Sequence, residues 1–126
     1  MKNSIIEIQN LSKQYSPATT RAVDDISFEV KSGELFAFLG VNGAGKSTTI
    51  HILCTLLKKT SGKVRICGFD LETQTDKVKS SIGIVFQNGV LDEKLSVYDN
   101  LVIRGSLFGI SRETLFKRIH NVADRL

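Results

Sequence analysis

The sequence predicts an α/β fold with three parts. An antiparallel β part comes first, parallel core strands around a glycine loop follow, and helices fill the C-terminal stretch. Three observations carry this. Ile6-Glu7-Ile8-Gln9 and Ala22 to Val30 alternate apolar and polar residues, as half-buried strands do. Leu35 to Leu39 and Ile82 to Phe86 are almost continuously apolar, which suits parallel strands buried on both faces. Between them, Gly40-Val41-Asn42-Gly43-Ala44-Gly45-Lys46-Ser47-Thr48 spaces its residues as glycine, four residues, Gly-Lys-Ser, and an apolar helix-compatible run from Thr49 to Leu57 follows.

The elements follow in order. The first strand gives way to a polar stretch broken at Ser16-Pro17, and Ile26, Phe28 and Val30 share a face of the second strand. Lys31-Ser32-Gly33-Glu34 reads as a turn. In the helix after the loop, Ile50, Leu53, Cys54 and Leu57 fall on one stripe, and His51 reads as a helix-packing residue. Val64 and Ile66 alternate with Lys63 and Arg65 in a short strand that Gly68 ends, and Thr73 to Ser80 reads as a turn or short helix. Ser96 is a natural N-cap for a helix to about Phe108. A last helix begins near Ser111, with Leu115, Ile119, Val122 and Leu126 on one stripe.

Bulk properties exclude several classes. At 126 residues the chain is one domain with room for a core. Its net charge of +4 is scattered, with no aromatic-rich basic segment, so no nucleic-acid partner is expected. No apolar run approaches the ~20 residues of a bilayer span, and the N-terminus has no secretory core. Cys54 and Cys67 lack metal-ligand spacing and read as reduced, buried small hydrophobes.

The loop residues suit a polyphosphate, each for its own reason. Gly43 and Gly45 let the backbone curl and bring N–H groups to the phosphates. The helix beginning near Lys46 aims free N–H groups and the positive end of its dipole at the same point. Lys46 offers a compact cation for the β- and γ-phosphates, and the Ser47 hydroxyl is a hard oxygen suited to Mg²⁺.

With these pieces placed, the chain resembles the first half of an ABC-transporter nucleotide-binding domain, an incomplete P-loop NTPase fold. The glycine loop is close to the family's Walker A wording. Tyr15 precedes a variable loop and the strand Ala22 to Val30, where the family places an aromatic A-loop residue against adenine. Ser61 to Gly68 resembles the family's following strand, and Ile82 to Gln87 followed by Leu95 to Leu101 resembles its Q-loop and the helix after it. The resemblance divides the chain into 1–33 (antiparallel part with A-loop), 34–87 (P-loop core to Q-loop) and 88–126 (start of the helical subdomain). It implies ATP and Mg²⁺ as ligands. Tyr15, Gly40, Asn42, Gly43, Ala44, Gly45, Lys46, Ser47 and Thr48 would hold the nucleotide, Ser47 and Gln87 the metal, and Lys46 and Gln87 would carry the catalytic roles. It also implies a transmembrane permease on another chain, a second nucleotide-binding subunit and a cytoplasmic place at the inner face of the membrane. The wording most resembles ATPases of bacterial multidrug or antibiotic exporters.

Val90-Leu91-Asp92-Glu93 superficially resembles a Walker B strand, but only two apolar residues precede Asp92, so a solvated acidic loop is expected. The sequence contains no Leu-Ser-Gly-Gly-Gln signature and no other Walker B candidate. The chain alone is therefore expected to bind nucleotide weakly at most and to hydrolyse it poorly. It is also expected to be marginally stable, or to associate through apolar edges around the Walker A strand. Two rivals remain: another P-loop NTPase, although no guanine-recognition Asn-Lys-x-Asp or arginine-rich lid is present, and a non-catalytic nucleotide-binding or regulatory module.

Overall fold

A computed structural model describes residues 3–17, 19–86, 89 and 91–125. They fall into two units, one ending at Ile84 and the other beginning at Val85.

The first unit holds β1 (Ser4–Gln14), β2 (Arg21–Lys31), α1 (Lys46–Leu53), β3 (Ser61–Ile66), β4 (Phe69–Asp70) and α2 (Thr75–Ser81). The strands form one antiparallel sheet in the order β2-β1-β3-β4. Register follows the apolar alternation: Ile6 pairs with Val30 on one side and Ile66 on the other, and Ile8 with Phe28 and Val64. Ile8, Leu11, Val23, Val64 and Ile66 pack there with Ile52 of α1, Leu71 and Val78 of α2. Each such side chain contributes about 1.5–3 kcal/mol on full burial.

β1 is longer than its alternation suggests because it crosses a bulge. Asn10 and Asp25 both take left-handed backbone conformations. The Asn10 N–H donates to Ser27 Oγ and its Nδ2 to Asp25 Oδ1, while the Asp25 N–H donates to the buried Ser12 Oγ. These side-chain bonds replace the ladder bonds that the bulge removes. On the neighbouring strand Gly62 takes φ +96°, and a Cβ there would sit 2.4 Å from the Asn10 carbonyl oxygen, so only glycine fits against the bulge.

The parallel core strands expected at 35–39 and 82–86 do not form among the described residues. Neither segment has a ladder partner. A strand persists only where its N–H and C=O groups find a neighbour, and the four antiparallel strands pair only with one another. Leu35, Leu39 and Val85 are almost fully exposed, whereas Phe36 and Phe38 pack their rings against Phe28, at centroid distances of 4.9 and 5.3 Å.

The helix after the loop is shorter than Thr49–Leu57 and turns a different face inward. It ends at Leu53, because Thr55 takes φ +60° just past the cap and the Leu56 and Leu57 N–H groups fold back on the His51 carbonyl. This is the left-handed helix stop that glycine usually occupies. Thr49 and Ile52 are buried; Ile50 and His51 are exposed, so His51 is not a packing residue. Cys54 is half-buried, and Cys67, at a left-handed corner between β3 and β4, is exposed rather than buried.

The second unit holds α3 (Val97–Ser106) and α4 (Arg112–Ala123). Both start where the sequence predicts. Ser96 and Ser111 cap them, each side-chain oxygen accepting the N–H three residues on. The buried Asn100 ties the preceding loop to α3. Its Oδ1 accepts the Asp92 N–H, and its Nδ2 donates to the Asp92 and Ser96 carbonyls. The helices cross at Gly105, where a Cβ would lie 2.2 Å from Leu115 Cδ1. Leu115 and Ile119 are buried, Val122 is half-exposed, and Tyr98 stacks on Phe116. Leu126 lies outside the described residues.

Candidate functional site

The glycine loop leads into α1 through Gly45, the N-cap residue, at φ +81°. Gly45 packs hard against β2: a Cβ there would lie 2.3 Å from the Ala22 carbonyl oxygen and 3.2 Å from Val23 Cγ2. The loop is thus seated on the second strand by the residue that lacks a side chain. Thr49 locks the first turn from below, 2% exposed, with both its N–H and its hydroxyl donating to the Gly45 carbonyl.

Capping by glycine leaves the start of α1 without a side-chain acceptor, and no acidic residue stands in the first turn. The first-turn amides of a helix have no acceptor inside it, and the dipole adds positive potential there. A donor-rich, carboxylate-free terminus suits an anion. The exposed Ser47 and half-buried Thr48 put two hydroxyls on the same turn. The Lys46 ammonium folds back on the loop, donating to the carbonyls of Gly40 and Val41 at 2.6 Å each. These residues fit a polyphosphate and a hard cation: amides, one ammonium and hydroxyl oxygens, with a glycine at position 45, where a Cβ would meet the β2 backbone. Val41, Asn42, Gly43 and Ala44 are exposed at the loop's tip. Beneath the loop a cleft of about 410 Å³ is lined by Ala22, Val23, Phe38, Gly43, Lys46 and Thr49 among others.

Tyr15 reaches this site from 33 residues away in sequence. Its phenol oxygen lies 3.5 Å from Thr48 Oγ1, and the residue is 43% exposed. The structure therefore brings Tyr15 beside Thr48, the end of the loop. The Lys13 ammonium stands 5.1 Å from the centre of that ring. Sequence reasoning passed over Lys13; the signal was its spacing, two residues before Tyr15 along an extended chain. Gln87, expected at the metal, lies outside the described residues, as do Asn88 and Val90. Asp92, from the Walker B look-alike, sits in a loop and accepts the Lys94 N–H, as the solvated-loop reading expects.

A glycine loop that seats a helix N-terminus, beside an antiparallel sheet, is consistent with an incomplete P-loop NTPase fold. The particular family follows from comparison. Residues 23–126 match the ABC transporter family, and the chain belongs to it. It is 37% identical over 113 residues to the doxorubicin resistance ATP-binding protein DrrA of Mycobacterium tuberculosis, covering 90% of this chain and 34% of that protein. It is 37% identical over 120 residues to the linearmycin resistance ATP-binding protein LnrL of Bacillus subtilis, covering 95% and 38%. Among solved structures it matches CbiO1 of Clostridium perfringens, part of the ABC transporter complex cbiONQ. The TM-score is 0.83 at 30% identity, over 98% of this chain and 51% of that one. The chain spans about a third of the length of these curated bacterial relatives.

Proposed function

We propose that this chain is the ATP-holding front part of an ABC transporter ATPase that couples Mg-ATP binding and hydrolysis to transmembrane export of a drug or other small molecule. The observation that carries it is Tyr15 beside Thr48. A glycine loop alone suits any nucleoside triphosphate, whereas an aromatic ring next to the loop's helix adds a platform for a base. In this reading the amides of Gly43 to Thr48 and the Lys46 ammonium hold the phosphates, with Gly40 and Asn42 shaping the loop. The Tyr15 ring carries the adenine. Ser47, with Gln87, holds Mg²⁺, which when bound neutralises phosphate charge. Lys46 must leave the Gly40 and Val41 carbonyls to reach a phosphate.

The partners in this reading are a permease on another chain and a second nucleotide-binding subunit, at the cytoplasmic face of a membrane. The relatives DrrA and LnrL are doxorubicin and linearmycin resistance ATP-binding proteins, which supports export. No described helix is long and apolar enough to cross a membrane. The chain alone hydrolyses ATP poorly, because Asp92 sits in a loop where its carboxylate accepts the Lys94 N–H, and general-base help is commonly worth about 10²–10⁴-fold in rate.

Calorimetry with ATP and GTP, with and without Mg²⁺, tests the reading. ATP should bind with Mg²⁺ dependence, and Lys46→Ala should remove most of the affinity. Equal binding of GTP would favour another P-loop class. Transporter-like turnover by the isolated chain, abolished by Lys46→Ala, would refute its catalytic incompetence.

A further inference from the structure

Lys13 lies near the end of β1 and Tyr15 just beyond it. The Lys13 ammonium stands 5.1 Å from the Tyr15 ring centre, inside the ~6 Å reach of a cation–π contact. Lys13 is half-buried, so its stem is held, while Tyr15 keeps 43% of its surface open. The phenol end of the same ring lies near Thr48 on the first turn of α1. The ring is therefore bracketed by a cation at one face and by the phosphate-loop helix at its hydroxyl end.

The geometry points to Lys13 as a positioning residue for Tyr15: its ammonium covers one face of the ring and leaves the other as a preset platform for the purine base of a nucleotide. This rests on the nucleotide reading above and adds a residue to it. A tyrosine free to rotate must be ordered when a base stacks on it, and that entropy is lost from binding; a ring already held avoids the loss. Lys13 acts here through the ring and not on the phosphates, so its effect belongs to ligands that carry a base.

Calorimetry on the full chain tests this with two probes in the presence of Mg²⁺: ATP, and inorganic tripolyphosphate, which has no base. Lys13→Ala should weaken ATP binding by about two- to fivefold, the size of one exposed cation–π contact, and leave tripolyphosphate unchanged. Lys13→Arg should restore ATP binding, since a guanidinium also sits over a ring. In a Tyr15→Leu background, Lys13→Ala should cost nothing further. Without any nucleotide, the Lys13 side-chain methylene protons should show a ring-current shift in NMR spectra that Tyr15→Leu removes. Equal weakening of both probes by Lys13→Ala would make Lys13 a phosphate cation, and unchanged ATP binding would make it a bystander; either overturns the proposal while the nucleotide reading stands. A wild-type chain that binds tripolyphosphate and ATP equally well, or neither, would overturn the base platform and the proposal together.

Discussion

Gly45 lies so close to Ala22 that a Cβ on the glycine would stand 2.3 Å from the alanine carbonyl oxygen. That single approach seats the glycine loop on β2 and fixes where α1 begins. Gly43 makes an informative contrast. It has a similar left-handed backbone, φ +85° against +81°, but nothing lies within 4 Å of where its Cβ would be. Alanine at Gly43 meets only the backbone penalty of about 1–2 kcal/mol, whereas alanine at Gly45 must also push the loop off β2. Gly45→Ala should therefore lower the midpoint of chemical denaturation more than Gly43→Ala, and should lose phosphate binding. Equal destabilisation by the two would mean that the contact with Ala22 does not hold the loop.

Much of this arrangement is legible in the sequence, because it depends on local chemistry. The spacing Gly40 to Ser47 specifies a loop and a helix start, Ser96 and Ser111 announce two helices, and the alternation at Ile6-Ile8 and Val64-Ile66 specifies two paired strands. What escaped depends on distant partners. The bulge at Asn10 and Asp25 exists through hydroxyls of Ser12 and Ser27 on facing strands. Leu35 to Leu39 has the composition of a buried strand, but composition does not supply a ladder neighbour. The turn of α1 that buries Thr49 and Ile52 rather than Ile50 follows from how Gly45 seats the helix. At the site, the loop and Tyr15 were legible, whereas Lys13 needed the ring's actual position.

Thr55 should be improvable. It holds φ +60°, a conformation that a β-branched residue adopts at a cost of about 1–2 kcal/mol. Its buried hydroxyl oxygen has no hydrogen-bond partner among the described residues, a further cost of about 1–3 kcal/mol. Glycine removes both and gives back about 0.4–1 kcal/mol through a freer unfolded chain. Thr55→Gly should raise stability by about 1 kcal/mol or more, and Thr55→Ala by less, since alanine removes the unpaired hydroxyl together with the methyl but keeps a Cβ at φ +60°. Thermal melts of the three proteins check the order. A Thr55→Gly protein that melts below the parent would show that the methyl packing outweighs both penalties.

Asp70 predicts a pH dependence. Its Oδ1 accepts the Thr73 N–H, the Thr73 hydroxyl and the Glu72 N–H, closing the turn between β4 and α2. The Thr73 bonds come first among the causes that hold this carboxyl below the usual range, followed by the Glu72 N–H; some desolvation opposes them, and Lys59 assists. A carboxyl lowered by folding stabilises the fold fully above its unfolded value, near pH ~4, and loses that contribution as pH falls through the folded value. The gap in stability between the parent and Asp70→Ala should be constant above about pH 5 and should narrow below about pH 4. A gap that stays constant into strong acid would show that the ionised carboxylate contributes nothing the protonated form does not.

The two cysteines should separate by reactivity. Cys67 is exposed at the corner after β3, whereas Cys54 is half-buried at the end of α1 and burial pushes its thiol up. Alkylation goes through the thiolate, so a raised thiol presents less nucleophile at a given pH as well as less access. Iodoacetamide near neutral pH should label Cys67 first, with Cys54 following slowly. Raising the pH should speed Cys54 by enlarging its thiolate fraction, and denaturant should bring the two rates together by opening the first unit. Peptide mass analysis over a time course reads both sites. Cys54 reacting as fast as Cys67 in the folded chain would mean that the end of α1 opens more readily than the packing of Ile52, Leu53 and Leu57 in the core allows.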